Sequence, residues 1–260
     1  MNAQISSRPA HAELPPLMDL AARDGETLYF RQYSDGQDID LILLPDLGCN
    51  SASVASLAKT LLPFANVFTP ELRGHQGKWG DLDYPRQLED DLADLCLELR
   101  RHDPIKRPIV LVGVGTGGAL ALRFASGPNQ QAIQGATLLN PRFINLPLAR
   151  YLPGLKVRRW LTAPLWLLGP LGLPLQRGLW AATTENGFRC SYAMLAAFGL
   201  PRFLDTDLPV FSVGQAEGRA PLSLPMERPN LKPDQLLQST GLQKRLQDWL
   251  KTLSQQPEAL

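Results

Sequence analysis

Short apolar runs alternate with longer amphipathic segments along most of the chain. Short runs rich in Val, Ile and Leu predict β-strands, because these side chains favour extended backbone and a strand covered on both sides is apolar on both faces. The predicted strands cover residues 27–32, 40–44, 66–69, 109–113, 136–139 and 210–213. The last four are continuous apolar runs, as expected of strands that are buried on both faces.

Four segments show the periodicity of an amphipathic helix. They cover residues 53–62, 87–101, 117–125 and 234–253. In the second of them the apolar side chains that recur on one face are Leu88, Leu92, Leu95 and Leu99. Strands that alternate with helices predict an α/β fold, with a mostly parallel sheet flanked by helices.

The composition changes in the second half of the chain. A stretch rich in Leu and Pro contains three of the five tryptophans and interrupts the alternation of strands and helices. We interpret it as an inserted helical cap. The predicted division is a flexible N-terminal tail at residues 1–25, a core at 26–142 and 208–260, and the helical cap at 143–207.

Composition and charge exclude several classes of protein. The chain has 260 residues, 44% of them hydrophobic, which suits one sizeable domain with an inserted lid. Its formal net charge of +1 lacks the basic excess typical of nucleic-acid binding. The three cysteines, Cys49, Cys96 and Cys190, are far apart and form no C-x-x-C motif. We therefore predict neither a disulfide framework nor a metal site.

No segment of the sequence predicts a secretory signal or a membrane span. Residues 1–16 lack the apolar core of a signal peptide. The longest charge-free apolar stretch, residues 161–175, contains three prolines and is shorter than the roughly 20 residues that cross a bilayer. We therefore predict a cytoplasmic protein without a transmembrane segment.

A glycine-rich turn joins the predicted strand 109–113 to the predicted helix 117–125. It reads G-V-G-T-G and has the spacing of a G-x-S-x-G nucleophile elbow, in which small residues flank a strained nucleophile. Gly115 stands at the nucleophile position, and the small flanking residues Gly113 and Gly117 are present. The pattern therefore predicts the backbone geometry of an elbow without its hydroxyl.

The same turn also satisfies the G-x-G-x-x-G dinucleotide-binding pattern, through Gly113, Gly115 and Gly118. That pattern requires an acidic residue about 20 residues further on, but the next predicted strand is followed by Asn140. Three predicted strands also precede the turn, whereas a nicotinamide enzyme usually carries this motif after its first strand. We therefore favour the elbow and predict no cofactor.

Four segments, in this order along the chain, resemble the α/β-hydrolase family, and most closely its lysophospholipase-like and serine aminopeptidase-like branch. They are L-I-L-L-P-D-L-G at residues 41–48, F-T-P-E-L-R-G-H-Q-G at 68–77, the elbow at 113–117 and L-L-N-P at 138–141. The resemblance implies an α/β-hydrolase core with an inserted cap. The glycine elbow is locally similar to that of the N-myc downstream-regulated family, which is regarded as non-hydrolytic.

The resemblance implies a triad of a serine at the elbow, a later acid and a histidine near the end of the chain. Gly115 replaces the serine, and Glu217 occupies the acid position. The late histidine is missing, because the last histidine of the chain is His102. Asn230 is at most an approximate stand-in for it.

The loop after the predicted strand 40–44 also departs from the family. Family members usually read His-Gly there, because a small residue lets a backbone N–H help to form the oxyanion hole, whereas this chain reads Pro45, Asp46 and Leu47. A negative charge at Asp46 would repel the oxyanion, whose stabilisation is worth about 3 to 4 kcal/mol per donor. Thr116 occupies the position whose backbone N–H faces the oxyanion in the family, and it completes this predicted oxyanion-like pocket.

Four residues near these motifs have both a structural and a catalytic interpretation, and we favour the structural one for each. Thr116 has the only hydroxyl in the turn, but no base is predicted for it. His75 lies in a loop that serves packing in the family. His102 lies near a helix C-terminus, where it suits the helix dipole. Cys49 has no neighbouring cation in the sequence that would lower its pKa.

Residues 143–200 carry a local positive excess. The cations are Arg150, Lys156, Arg158, Arg159, Arg177 and Arg189, and the one acid is Glu185. Either these charges are solvated, or they form a basic rim, with Arg158 and Arg159, around an apolar pocket for an acyl or anionic amphiphile. We favour solvated charges and keep the basic rim as a hypothesis.

The sequence thus predicts a catalytically degenerate α/β-hydrolase homologue. We expect it to bind a small apolar or acyl-type ligand, or a protein partner, between core and cap. The alternative is an active enzyme that uses non-standard residues, either for ester hydrolysis or for proton transfer by Glu217 or Asp46. A scaffold whose pocket is filled is a third possibility.

Overall fold

The apolar runs of the sequence form strands in the computed structural model, which describes residues 14–33, 36–46, 49–74, 82, 84, 86–103, 105–143, 156–157, 182–183, 189–190, 206–213 and 240–254. In chain order the strands are β1 (Leu17–Ala21), β2 (Thr27–Gln32), β3 (Asp40–Leu44), β4 (Asn66–Glu71), β5 (Ile109–Val114), β6 (Gly135–Leu139), β7 (Lys156–Val157), β8 (Ala182–Thr183), β9 (Arg189–Cys190) and β10 (Val210–Val213). All six predicted strands are confirmed, with ends that differ by no more than two residues.

Four described α-helices accompany these strands. They are α1 (Ala55–Leu61), α2 (Gln87–His102), α3 (Thr116–Ala125) and α4 (Thr240–Ser254), and there are short 3-10 helices at Ser51–Val54 and Gln130–Ala132. The predicted helix 53–62 therefore begins as a 3-10 turn, and residues 234–239 of the last predicted helix lie outside the described residues. None of the described helices is long and apolar enough to cross a membrane.

Seven of the strands form one sheet in the order β1-β2-β4-β3-β5-β6-β10. The pairs β1–β2 and β2–β4 are antiparallel, and the other pairs are parallel. In the register of the central strands, Leu44 lies opposite Gly113, and Val114 lies opposite Leu139. The carboxyl ends of β3, β5 and β6 therefore meet at one edge of the sheet, which is where α/β proteins place their sites.

The hydrophobic core has a layer on each side of this sheet, because successive side chains of a strand point to opposite faces. On β3, Leu41 and Leu43 pack in the layer that contains side chains of α1 and α4. Ile42 and Leu44 pack in the layer that contains α2 and α3. All four leucines of the predicted apolar face of α2 are buried there. The predicted α/β fold class, a mostly parallel sheet flanked by helices, is confirmed.

The predicted flexible tail at residues 1–25 is wrong for its last part. Residues 17–21 form β1, which pairs with β2 through a turn in which Gly25 has a φ of +87°. The sequence pattern was weak because β1 is an edge strand, in which only Leu20 is buried. Backbone hydrogen bonds to β2 hold β1 in place, rather than a continuous apolar face of its own. Residues 1–13 lie outside the described residues.

The predicted helical cap at 143–207 falls mostly outside the described residues. Within it, β7, β8 and β9 form a small antiparallel sheet in that order. The prediction of helices did not include this sheet. Strands of two residues carry too short a pattern for periodicity to reveal them.

Candidate functional site

The turn between β5 and α3 has the backbone of a nucleophile elbow. Gly115 lies between the two elements with φ of 59° and ψ of −121°, a conformation that glycine adopts without steric penalty. Its N–H donates to the carbonyl oxygen of Leu139 at 3.0 Å, and its carbonyl oxygen accepts from the backbone N–H of Arg142 at 2.8 Å. The elbow is therefore fixed to the end of β6 on both sides of its central residue.

The two flanking glycines are required by close backbone approaches. A Cβ on Gly113 would lie 2.2 Å from the carbonyl oxygen of Gly117. A Cβ on Gly117 would lie 2.5 Å from the carbonyl oxygen of Pro45, which belongs to the loop after β3. Both distances are far shorter than van der Waals contact, so the strand, the helix and the loop pack together only with glycine at these positions.

The carboxylate of Asp46 lies directly against this elbow. Its Oδ1 accepts hydrogen bonds from the backbone N–H of Thr116, at 3.0 Å, and from the hydroxyl of the same residue. Its Oδ2 accepts from Nη1 of Arg142 at 2.9 Å. Both oxygens of one carboxylate are therefore engaged, and the charge is paired with a guanidinium, which is a strong class of hydrogen bond.

Asp46 also occupies the space next to the nucleophile position. A Cβ built on Gly115 would lie 2.7 Å from Cγ, 2.8 Å from Oδ2 and 2.9 Å from Oδ1 of Asp46. The site is partly open, since the side chains of Asp46 and Arg142 are 21% and 22% exposed, whereas Thr116 is buried. The carboxylate and a side chain at position 115 therefore compete for one volume at the edge of the sheet.

This geometry changes the interpretation of the predicted oxyanion-like pocket. In an α/β-hydrolase, the N–H of the residue after the nucleophile donates to the oxyanion. In this chain that N–H belongs to Thr116, and it already donates to Asp46. Repulsion by Asp46 was the sequence-based expectation. The structure shows in addition that this carboxylate takes up the donor itself.

Arg142 is the residue of this site that sequence reasoning missed. It follows the end of β6 by three residues, and it reaches Asp46 across 96 positions of sequence. The available signal was topological: positions shortly after β3, β5 and β6 meet at one sheet edge when these strands are parallel neighbours. When two such positions carry opposite charges, as Asp46 and Arg142 do, an ion pair between them is a hypothesis that the sequence allows.

The other predicted site residues divide into described and undescribed ones. Pro45 lies against the elbow through its carbonyl oxygen. Those that lie outside the described residues are Leu47, His75, Arg158, Arg159, Glu217 and Asn230. Within the described part of the chain, no group of three or more His, Cys, Asp or Glu side chains is placed to hold a metal ion.

Cys49 and His102 have the structural surroundings that the sequence analysis favoured. The backbone N–H of Cys49 donates to the carbonyl oxygen of Asp46 at 2.9 Å. Burial raises the pKa of the Cys49 thiol, and the negative charge of Asp46 raises it further, which disfavours the reactive thiolate. His102 is exposed at the end of α2, with Nε2 at 2.9 Å from Oε1 of Glu98.

Comparison with solved structures shows the same fold at low sequence identity. A soluble variant of monoglyceride lipase from Saccharomyces cerevisiae, in complex with a substrate analog, has a TM-score of 0.60 at 14% identity over 95% of this chain and 97% of that one. The alpha/beta hydrolase GrgF from Penicillium sp. sh18 has a TM-score of 0.60 at 16% identity, over 92% and 98%.

The bottromycin epimerase BotH, in complex with bottromycin A2, has a TM-score of 0.52 at 16% identity, over 91% of this chain and 99% of that one. A search among curated proteins gave no match. The sequence model of the alpha/beta hydrolase family matches residues 41–253, which is most of the chain. The elbow, the sheet order and this match agree, and the chain belongs to the alpha/beta hydrolase family.

Proposed function

We propose that this protein is a catalytically degenerate α/β-hydrolase, which uses the fold for binding rather than for ester hydrolysis. The observation that carries the proposal is the carboxylate of Asp46, bound by Thr116 and Arg142 beside a glycine at the nucleophile position. Nucleophile and oxyanion donor are altered together at one place. A single lost group would be a weaker argument.

The size of the expected loss supports this proposal. Removing triad members costs roughly a factor of a million in turnover in a serine protease. Loss of one oxyanion donor costs about 3 to 4 kcal/mol in addition. In this chain the donor would first have to be released by Asp46, and the released carboxylate would then repel the oxyanion. Residual hydrolysis through this site is therefore expected to be negligible.

The binding function we propose is for a small apolar or acyl-type ligand between core and cap, with a protein partner as the alternative. The monoglyceride lipase with the same fold holds a substrate analog, and residues 143–200 are rich in leucine and tryptophan. The local resemblance of the elbow to the non-hydrolytic N-myc downstream-regulated family agrees with binding. We place acid-base chemistry second, because three donors engage the carboxylate of Asp46.

A fluorophosphonate probe and p-nitrophenyl esters of short and long acyl chains test the proposal. We expect no labelling and no hydrolysis above background, with an active serine hydrolase of the same fold as positive control. Hydrolysis that survives extensive purification and disappears in Thr116→Val or Cys49→Ala would overturn the proposal. Mass spectrometry of small molecules that co-purify with the protein would then identify the ligand class.

A further inference from the structure

We propose that the elbow is a carboxylate-binding site that Asp46 occupies as a tethered internal ligand. The external ligand is a carboxylic acid, and its head group takes the place of Asp46 against Thr116 and Arg142. This inference rests on the proposed binding function and deepens it, because it names the chemical class of the head group and the contact that must open.

The donors form a site rather than a single contact. They come from two elements, the start of α3 and the segment after β6, and they engage both oxygens of one carboxylate. A guanidinium combined with a backbone N–H and a hydroxyl matches a planar monoanion. The occupant comes from a third element, the loop after β3, so the donors and the residue that now fills the site belong to different parts of the chain.

Gly115 explains why a carboxylate fits at this position. Any side chain there would place its Cβ within 2.7 to 2.9 Å of the carboxyl group. The glycine therefore removes a nucleophile and at the same time leaves room for a carboxylate. The side chains of Asp46 and Arg142 are partly exposed, which an acid head group requires in order to reach them.

Exchange of one carboxylate for another conserves the charge-assisted hydrogen bonds of the site. The net affinity for an acid ligand then comes from its apolar tail, and it is reduced by competition from Asp46, which is held by its own chain at a high effective concentration. Removal of this competitor should therefore strengthen carboxylate binding. A neutral ligand of the same chain length should gain much less.

Calorimetric titration of the whole protein with decanoate and with decanol tests this inference. We expect Asp46→Ala to bind decanoate about tenfold more tightly than wild type, or better, with little change for decanol. The gain should disappear in Asp46→Ala/Arg142→Gln. Glu98→Gln is the matched control, since it removes a carboxylate that is ion-paired on the far end of α2.

Acetate tests the anion site without the tail. In a folded Asp46→Ala variant, acetate should raise the melting temperature more than chloride at equal ionic strength, because a bound ligand stabilises the folded state. Wild type and Glu98→Gln should show no such difference. Asp46→Ser, whose side chain is too short to fill the site, serves if Asp46→Ala does not fold.

Two results would overturn the inference. Equal acetate effects in wild type and in both folded Asp46 variants would mean that no carboxylate site opens. Equal gains for decanoate and decanol would mean that the head group is not the recognised part. Neither result affects the proposal that the protein does not hydrolyse esters. That proposal is overturned only if the protein hydrolyses esters or reacts with the fluorophosphonate probe.

Discussion

The backbone N–H of Thr116 donates to Oδ1 of Asp46 at 3.0 Å. In a working hydrolase of this fold the corresponding N–H serves an oxyanion that exists only during the reaction. In this protein the same N–H donates to a side chain of the chain itself, 70 positions earlier in the sequence. This contact gives the proposed loss of hydrolysis a physical cause that one substitution at Gly115 cannot remove.

We expect Gly115→Ser to produce no esterase and to destabilise the protein by about 1 to 3 kcal/mol. An unassisted serine is a weak nucleophile, and the chain lacks a late histidine to serve as its base. The new Cβ would also overlap the carboxyl group of Asp46. Urea unfolding measures the stability, and p-nitrophenyl ester turnover measures the activity.

A double-mutant cycle separates this overlap from ordinary backbone strain. In an Asp46→Gly background the carboxyl group is absent. Gly115→Ser should therefore lower the free energy of unfolding less than it does in wild type, by about 1 kcal/mol or more. Equal costs in the two backgrounds would show that the two side chains do not compete for space. Strong turnover in the single variant would reveal a base that neither sequence nor structure indicates.

The elbow could be predicted from sequence because its requirements are local. Five consecutive positions fix the turn, and the close approach between Gly113 and the backbone of Gly117 follows from the strand-turn-helix connection itself. The central strands were equally predictable, since burial on both faces leaves a continuous apolar run, as in β3.

The pairing of Asp46 with Arg142 could not be predicted in the same way. The two residues are 96 positions apart, and their contact depends on which strands are neighbours in the sheet. The same reason applies to β1, whose order depends on pairing with β2 and not on its own pattern. Local composition does not carry information about a partner that another part of the chain supplies.

Gly117→Ala should destabilise the protein by about 2 kcal/mol or more, although alanine is the better helix former by about 1 kcal/mol. Its Cβ would lie 2.5 Å from the carbonyl oxygen of Pro45, a backbone atom that cannot move without displacing the loop of Asp46. Gly118→Ala, one position further along the same helix, is the matched control, because its Cβ would lie 3.2 Å from its nearest neighbour, the carbonyl oxygen of Gly113. Thermal melts that rank Gly118→Ala as the more damaging change would contradict the packing argument.

The buried guanidinium of Arg73 joins two carboxylates whose titration differs. Its Nη1 lies 2.7 Å from Asp24, and its Nε lies 2.8 Å from Asp91. The hydrogen bond from Arg73 lowers the pKa of Asp24 to about 2. Burial raises the pKa of Asp91 to about 7, although Arg73 opposes the shift. The difference follows from exposure, since Asp24 is the more exposed of the two.

These shifts predict how stability depends on pH. Between about pH 4 and pH 7 the folded protein holds a proton on Asp91 that the unfolded chain has lost, so this group makes stability fall as pH rises, by at most about 1.4 kcal/mol per pH unit. Asp24 acts in the opposite direction, because its pKa is lowered in the folded protein. Its ionised form stabilises the fold, and this stabilisation is lost as pH falls from about 4 toward 2.

Urea unfolding of Asp91→Asn at several pH values tests this assignment. The variant should show a smaller fall in stability between about pH 4 and pH 7 than wild type, because it lacks the proton of Asp91, whereas Asp40 and Glu89, whose pKa values burial also raises, keep theirs. Glu98→Gln, which removes a carboxylate on the outer surface of the same helix, should keep the slope of wild type. Parallel profiles for wild type and Asp91→Asn would contradict the raised pKa.

The cations at Arg158 and Arg159 give a last prediction, which separates two places for an acid head group. If the head group lies at the elbow, Arg142→Gln should remove the preference for decanoate over decanol. Arg158→Ala/Arg159→Ala should then weaken decanoate binding only slightly, since solvated charges contribute about 0 to 1 kcal/mol. A basic rim around the pocket would give the reverse result, with a loss of about 1.5 to 3 kcal/mol in the double variant. Calorimetry on wild type and both variants decides between the two, and an unchanged preference in all three proteins would exclude both places.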